Sequence, residues 1–392
     1  MNDAVNIGVL LDPDFDHAVE ILEGVRTYAR ARPDWRVVPV PAAQEALLAR
    51  LVRAGELRGV IGAFLSDRWL ESRLPPELPA VNTANLSPIT RVCSAVPDDR
   101  AVGRLAARHL LDLGHRHAVV VADRATHASR LRREGFLDAA REWPGFGALA
   151  AAPHADAATA GYRLEGLWQD WLAALERETA VFCTSDLLAC RFWTVCRAAQ
   201  PAARARVTAL AGVGDSLTAR VVSGLDLTSV PLPGRAVGRR AAARLAGLLD
   251  GDRTVACELI APDGVAVRGS TARYASSDPV VARAMGIALQ TLPQHPGVDE
   301  IALRAGVSRR TLEQHFRAAF GRSPAAEFRE RRLELARRLL AETDLTVAEI
   351  AARTGTGSVQ AFTTLFRLAT GQPPAAWRAA AASAVSRGCD AG

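Results

Sequence analysis

Lysine is missing from all 392 residues, and every one of the 48 basic side chains is arginine. That absence excludes a Walker-type phosphate lysine, a Schiff-base enzyme, a kinase nucleotide lysine and a serine–lysine catalytic pair, because each needs a compact or deprotonatable amine that a guanidinium does not supply. No apolar run approaches the roughly eighteen residues of a membrane span, and Met1-Asn2-Asp3-Ala4 lacks a basic segment followed by an apolar one. A soluble, cytoplasmic protein with no membrane partner is expected. The six cysteines (Cys93, Cys183, Cys190, Cys196, Cys257, Cys389) show no paired spacing and no matching histidines, so they are expected to be small buried hydrophobes.

Two metal-like patterns fail on inspection. Asp12-x-Asp14-x-Asp16 with Glu23 at the twelfth position imitates a calcium loop, but His17 stands where such a loop needs glycine, and a strand precedes it. His115 and His117 after Gly114 read as a turn entering a strand. There is no Gly-x-Ser-x-Gly elbow and no His-Glu-x-x-His, and Gly212-x-Gly214 lacks the rest of a dinucleotide fingerprint. No catalytic residue, metal, cofactor or enzyme activity is expected.

What is present is a long chain with one basic end. The length suits two or three domains. The net charge is +6, and from Pro279 onward 15 arginines face 10 acidic residues, so a near-neutral body carries a basic terminus suited to nucleic acid.

That terminus repeats itself. Ile301-Ala302-Leu303-Arg304-Ala305-Gly306-Val307-Ser308 leads to Phe316-Arg317 and Gly321-Arg322-Ser323-Pro324. About fifty residues later Ile350-Ala351-Ala352-Arg353-Thr354-Gly355 leads through Ser358 to Phe366-Arg367 and Gly371-Gln372-Pro373-Pro374. Each copy has a short helix, a turn glycine and a serine able to cap a second helix, which is the pattern of a helix-turn-helix. One such pattern could be a helical hairpin of any enzyme; two in tandem, joined by a helix from about Pro324 to Leu340, point to double-stranded DNA. Leu312 and Phe316 face the core, leaving Arg309, Arg310, Thr311, Glu313, Gln314 and Arg317 as candidate DNA-binding residues. The second unit offers Gln360, Thr363 and Thr364, with Arg367 nearby.

Residues from about Pro279 to Arg378 thereby resemble the DNA-binding domain of the AraC family of transcription regulators. The resemblance rests on Ile301-Ala302, Gly306-Val307-Ser308, Leu312, Phe316, Gly321, Ser323-Pro324, Arg332-Leu333, Ala336 and Leu339-Leu340, and on Ile350-Ala351, Gly355, Phe362, Phe366, Gly371, Pro374 and Trp377-Arg378. It implies two units entering successive major grooves. The sequence departs from that family at Glu327, where an aromatic is usual, and at Thr356, where phenylalanine is usual.

The first 270 or so residues alternate short β-branched runs with longer helical stretches. Strands are expected at Ile7–Leu11, Val37–Val40, Gly59–Gly62, Ala80–Val81, Ala118–Val121, Ala180–Phe182 and Val207–Leu210. Helices are expected at Val19–Ala31, Asp99–Leu113, Ser129–Glu142 and Gly161–Glu176. This alternation predicts parallel sheets covered by helices, in two lobes. Ligand groups in such a clamp belong at the carboxyl ends of strands, in the cleft. Asp12, Asp14, Phe15, Arg132, Ser185, Asp186 and Asp215 fall there, each carboxylate being equally readable as a cap or turn residue.

Several phrases resemble the effector-binding core of LacI-type repressors and periplasmic sugar-binding proteins. They are Asp98-Asp99 with Gly103, His109-Leu110 and Gly114-His115; Arg132-Arg133-Glu134-Gly135-Phe136; Ser185-Asp186 with Ala189; and Leu227-Thr228-Ser229-Val230 with Gly238 and Ala241. By that resemblance Arg132 clamps the effector. Such a core ahead of an AraC-type domain resembles the xylose operon regulators, which implies a small sugar effector, a pentose such as xylose, a homodimer, and RNA polymerase as a further partner. The expected organisation is an effector-binding domain over residues 1–272, a linker over 273–280 that follows a last strand at Val267–Thr271, a DNA-binding domain over 281–380 and a flexible tail over 381–392. The rivals are a cytoplasmic sugar-binding protein with no regulatory role and a sugar-processing enzyme.

Overall fold

A computed structural model of the chain describes residues 5–123, 126–143, 148–150, 162–271, 278–294, 296–343 and 345–379. It divides into two units, Met1–Thr271 and Ala272–Gly392.

The first unit opens with strands and helices in alternation: β1 (Val5–Leu11), α1 (Asp16–Ala29), β2 (Trp35–Pro41), α2 (Glu45–Arg53), β3 (Gly59–Gly62), α3 (Asp67–Arg73), β4 (Ala80–Asn82) and β5 (Cys93–Pro97). The chain then builds α4 (Asp99–Asp112), β6 (His117–Val121), α5 (His127–Glu142), β7 (Ala148–Ala150), α6 (Tyr162–Ala173), β8 (Thr179–Cys183), α7 (Asp186–Ala198), α8 (Pro201–Ala205), β9 (Val207–Val213), α9 (Leu217–Ser223) and β10 (Thr228–Val230). Last come α10 (Gly234–Leu249) and β11 (Cys257–Ile260).

Two parallel sheets result, in the orders β11-β5-β4-β3-β1-β2 and β10-β9-β8-β6-β7. Parallel strands covered on both faces need apolar side chains throughout, and β3, β5 and β8 are buried along their whole length. Each sheet heads one lobe, and the chain passes between lobes three times, after β5, after β10 and after β11.

One helix pair in each lobe packs through glycine. A Cβ on Gly24 of α1 would lie 2.3 Å from the Arg235 carbonyl oxygen, and one on Gly238 of α10 would lie 2.0 Å from that of Ile21. Gly103 of α4 and Gly135 of α5 repeat the arrangement against the carbonyl oxygens of Arg132 and Arg100, at 1.9 and 2.0 Å. No other residue permits these backbone approaches.

Apart from the strand expected at Val267–Thr271, the expected strands and helices are present, with Gly161 lying outside the described residues. Three expectations need correction. Val267–Thr271 is not a strand: Gly269–Thr271 is a single 3-10 turn tied to Asp226 and Thr228, and the last strand is β11. Cys257 on that edge strand is exposed and Cys190 only half-buried, whereas Cys93, Cys183 and Cys196 are buried; Cys389 lies outside the described residues.

The second unit is helical: α11 (Pro279–Gln290), α12 (Val298–Arg304), α13 (Arg309–Phe320), α14 (Pro324–Glu342), α15 (Val347–Arg353) and α16 (Val359–Thr370). Asp278 caps α11 through Val280 and Val281, so the helix starts inside the segment read as linker. Two small cores form along α14. Phe328 joins Met285, Ile301, Leu312 and Phe316 in one, and Leu333, Ala336 and Leu340 join Ile350, Phe362 and Phe366 in the other. Among the described residues no helix is long and apolar enough to cross a membrane.

The glycine crossings give a paired stability test. Gly103→Ala puts a methyl group against the Arg132 carbonyl and is expected to cost at least about 2 kcal/mol. Gly166→Ala, inside α6 with open space around it, is expected to gain about 0.5–1 kcal/mol. Urea unfolding of the two variants measures both, and a neutral Gly103→Ala would contradict the packing described.

Candidate functional site

In the cleft of the first unit, the turn after β1 meets groups from the second lobe. Asp12 accepts a hydrogen bond from the Asp14 amide at 3.1 Å, Phe15 stays half exposed with its ring 6.0 Å from that of His17, and Asp16 accepts from the Leu217 amide at 3.0 Å. That last bond joins the lobes. His17 lies within electrostatic reach of Arg132, Asp99, Asp16 and Asp12; burial first, and then the Arg132 charge, hold its pKa at about 4 instead of 6.5.

Arg132 is the cation of this cleft. Its Nε donates to Asp99 Oδ1 at 2.7 Å and Nη1 to the Thr184 carbonyl at 2.7 Å, while the side chain keeps 11% exposure. Asp99, only 1% exposed, also accepts from Asn85 at 2.8 Å, and Asn85 belongs to the β4–β5 connection of the first lobe. Further bonds from the Ala128 amide to the Asn85 carbonyl (2.7 Å) and from the His127 amide to the Leu86 carbonyl (3.0 Å) strengthen that bridge. The second terminal nitrogen of Arg132 makes no hydrogen bond among the described residues.

The remaining sequence candidates are differently employed. Ser185 caps α7 through the Leu188 amide. Asp186 is buried with both oxygens engaged, by Ser229 Oγ at 2.8 Å and the Ser216 amide at 2.7 Å, and its burial raises its pKa. It therefore buttresses the loop after β9. Asp215 adopts a left-handed backbone (φ 53°) and pairs with Arg268 at 2.6 Å, with Arg220 at 3.9 Å beyond. Sequence reading missed Asp99, Asn85 and Arg268 as partners, and treated His17 only as the residue that spoils a calcium loop.

The second unit presents the two helix-turn-helix copies with matching local geometry. In the turns, the Val307 amide reaches the Ala302 carbonyl at 3.0 Å and the Thr356 amide reaches that of Ala351 at 3.1 Å; Gly306 and Gly355 take φ of 73° and 69°, a region costly for a residue with Cβ. Ser308 caps α13 through Thr311 and Ser358 caps α16 through Ala361. Leu312, Phe316, Phe362 and Phe366 are buried, which turns Arg310, Gln314, Arg317, Gln360, Thr364 and Arg367 outward. Thr311 and Thr363 are half-buried, and the Thr311 hydroxyl bonds Ser308. Arg309 and Glu313 pair with each other at 3.1 Å, and Arg309 also with Asp299 at 3.0 Å.

Residues 107–271 match the periplasmic binding protein-like domain and residues 301–380 the helix-turn-helix domain. The chain joins a periplasmic-binding-protein-like domain to an AraC-type helix-turn-helix domain. It is 29% identical over 210 residues to the xylose operon regulatory protein of Escherichia coli (strain K12), covering 53% of each chain. The chain thus spans about half the length of the curated relatives it matches. In three dimensions it is similar to a xylose-binding transcription activator, with a TM-score of 0.59 and 23% identity over 97% of this chain and 99% of that one. A periplasmic binding protein/LacI regulator from Alkaliphilus metalliredigens QYMF, complexed with D-xylulofuranose, matches at a TM-score of 0.52 and 15% identity over 68% of this chain and 99% of that one. At these identities the likeness to the solved structures concerns the fold.

His17 sets a pH expectation. With a folded pKa of about 4 against 6.5, the unfolded chain binds a proton between those values that the folded chain does not, so stability is full above about pH 6.5 and falls toward pH 4. Between pH 7 and pH 5 the loss through His17 is at most about 2 kcal/mol. Urea unfolding at the two pH values, compared with His17→Gln, measures it; an equal slope in the variant would mean His17 does not titrate this way.

Proposed function

We propose that the chain is a sequence-specific DNA-binding transcription regulator controlled by a small sugar, a pentose being the best fit. The observation that carries the sugar reading is Arg132: a largely buried guanidinium, held rigid by Asp99 and Thr184, with one terminal nitrogen left for a ligand, in a cleft whose other lobe carries the half-exposed Phe15 ring. A rigid charged donor with an apolar face suits a polyhydroxylated ring. The relatives' names, which include xylose operon regulatory proteins, support the same class. The protein acts as a homodimer on paired half-sites, in the cytoplasm, with RNA polymerase as a further partner. Asp12, Asp14 and Phe15 serve the sugar with Arg132. Ser185 and Asp186 are given supporting roles, since Ser185 caps α7 and both Asp186 oxygens are engaged, while Asp215 meets Arg268 through Oδ1 and keeps Oδ2 for the sugar.

A gel shift on the DNA upstream of the chain's own gene, with and without a panel of pentoses and hexoses, tests this reading. Sugar-dependent mobility supports it. Sugar binding without any DNA complex would favour a sugar-binding protein with no regulatory role.

Arg132 is tested with its partner in mind. Arg132→Gln removes the ligand's anchor and also strands the Asp99 carboxylate, at a cost of about 3 kcal/mol. The double variant Asp99→Asn, Arg132→Gln relieves that buried charge and is expected to recover much of the melting temperature while showing no sugar-induced rise. A normal thermal shift in the double variant would remove Arg132 from the site.

The recognition helices should divide their labour. Arg310 and Gln314 are outward on α13, while α16 offers Gln360 and threonines, so the first unit is assigned most of the base specificity. An arginine reading guanine contributes about 1–3 kcal/mol of discrimination, and Arg310→Ala should relax base preference at its positions. Arg367→Ala should weaken all sites alike and flatten the salt dependence. Binding-site selection distinguishes the two, and full preference retained in Arg310→Ala would reverse the order.

A further inference from the structure

Strand β11 is an open edge of the first sheet. In its parallel pairing with β5 the Ala256 and Ile260 carbonyls accept from the Ser94 and Asp98 amides at 2.9 and 2.8 Å, so the peptide groups of the even-numbered residues face β5. Those of Val255, Cys257 and Leu259 face the other way, and among the described residues they have no hydrogen-bond partner. Two other sheet edges are blunted. Strand β2 carries Pro39 and Pro41, which cannot donate to an added strand, and β10 is met on its outer side by Ala266, bonded to Ser229 in both directions at 2.8 and 3.2 Å.

Side chains along β11 also divide by parity. Ile260 packs into the core with α10, and Glu258 pairs with Arg240 of that helix at 3.2 Å. On the opposite face Val255 and Leu259 are 60% and 59% exposed, with the exposed Cys257 between them. An open edge with an apolar stripe and no proline is a template for another strand.

The stripe is complementary to itself. With Cys257 of two copies face to face in antiparallel register, Leu259 of each lies opposite Val255 of the other, and Glu258 lies opposite Ala256. The odd-numbered positions then form the hydrogen-bonded pairs, each exchanging two bonds, because theirs are the groups that point outward. Ala256 is small enough to leave the Arg240–Glu258 pair in place. Slipping two residues one way would set Glu258 against Glu258, like charges directly opposite, and slipping the other way would set Leu259 against Arg253.

We propose that two copies of the chain join edge to edge through β11 in this register, and that this is the surface of the homodimer on which the proposed function rests.

The full chain, without DNA, is followed by sedimentation velocity over a concentration series and by cross-linking with a short bismaleimide, since the two Cys257 Cα atoms would lie about 5.5 Å apart. Expected are a reversible dimer, a cross-linked dimer band, and loss of that band in Cys257→Ser. Leu259→Arg, at an exposed position, sets a charge against Val255 of the other copy and should weaken dimerisation at least about tenfold with its circular dichroism unchanged. Val255→Glu should do the same. The double variant Val255→Glu, Leu259→Arg should regain most of the affinity, because opposite charges then face each other across the pair. A dimer that does not cross-link through Cys257, that Leu259→Arg leaves intact, or that the double variant fails to restore would overturn the edge pairing and leave the homodimer standing. A chain that stays monomeric at every concentration would overturn both.

Discussion

One helix crossing holds the cation of the cleft from two directions. Gly103 on α4 lets the α5 backbone come so near that a methyl group would lie 1.9 Å from the Arg132 carbonyl oxygen, and one turn earlier on α4 Asp99 accepts from Nε of the same arginine at 2.7 Å. Gly135 returns the approach against the Arg100 carbonyl. Backbone and guanidinium are thus fixed by neighbouring turns of one helix, and the carbonyl of Thr184 after β8 adds a third point. The arrangement depends on two missing side chains as much as on the ion pair. Since Asp99 is only 1% exposed, removing its cation would leave a buried charge whose cost is several times that of a surface pair.

In the second unit α14 does the corresponding work. It gives Phe328 to one core and Leu333, Ala336 and Leu340 to the other, so both helix-turn-helix copies are fastened to one rod. Glu327 next to Phe328 is fully buried, yet it accepts from Arg331 at 2.8 Å and Arg322 at 2.6 Å. Arg322 follows the cap of α13. A carboxylate with two guanidinium partners therefore ties the end of the first DNA-reading helix to the rod, where the AraC-like pattern would place an aromatic ring. Phe328 supplies the aromatic contact instead, edge-on to Phe316 at 5.4 Å.

Features encoded by neighbours in the chain were the legible ones. The turn glycines, the capping serines Ser308 and Ser358 and the apolar spacing of Leu312 and Phe316 are local signals, and the helices begin and end where these place them. Continuous apolar runs marked the buried strands for the same reason. The cleft carboxylates were harder, because what engages them is remote: Asp186 is bonded by Ser229, 43 positions away, and Asp215 is paired by Arg268. Nothing near Asp186 in the sequence shows that both its oxygens are taken. The misread strand at Val267–Thr271 has a similar cause. Its β-branched and small residues suit a strand, but hydrogen bonds from its amides to Asp226 and Thr228 fold it into a turn, and the exposed edge strand β11 lacks the buried pattern that reveals the others.

The bonds between the lobes set the scale of any sugar response in the proposed reading. Besides three chain crossings, the lobes share the Asp16 bond to the Leu217 amide, the Asn85 bond to Asp99 and two backbone bonds at Asn85 and Leu86. The backbone bonds are worth about 0.5–1.5 kcal/mol net each, and those to carboxylates about 1.5–3 kcal/mol. Moving an equilibrium between two lobe arrangements from 1:99 to 99:1 requires a ligand to favour one of them by about 5.5 kcal/mol. Neutral hydroxyl-to-hydroxyl bonds would need to be numerous to reach that figure, whereas bonds to charged groups contribute about 1.5–3 kcal/mol each. Two or three charged partners suffice, and they must have atoms to spare. Asp186 has both oxygens committed, and Asp215 already faces Arg268. That leaves Arg132 and Asp215 Oδ2 from one lobe and Asp12 and Asp14 from the other, so in this reading the charged groups still available to a sugar lie on opposite sides of the cleft, where a bound ligand favours the arrangement that lets it reach both.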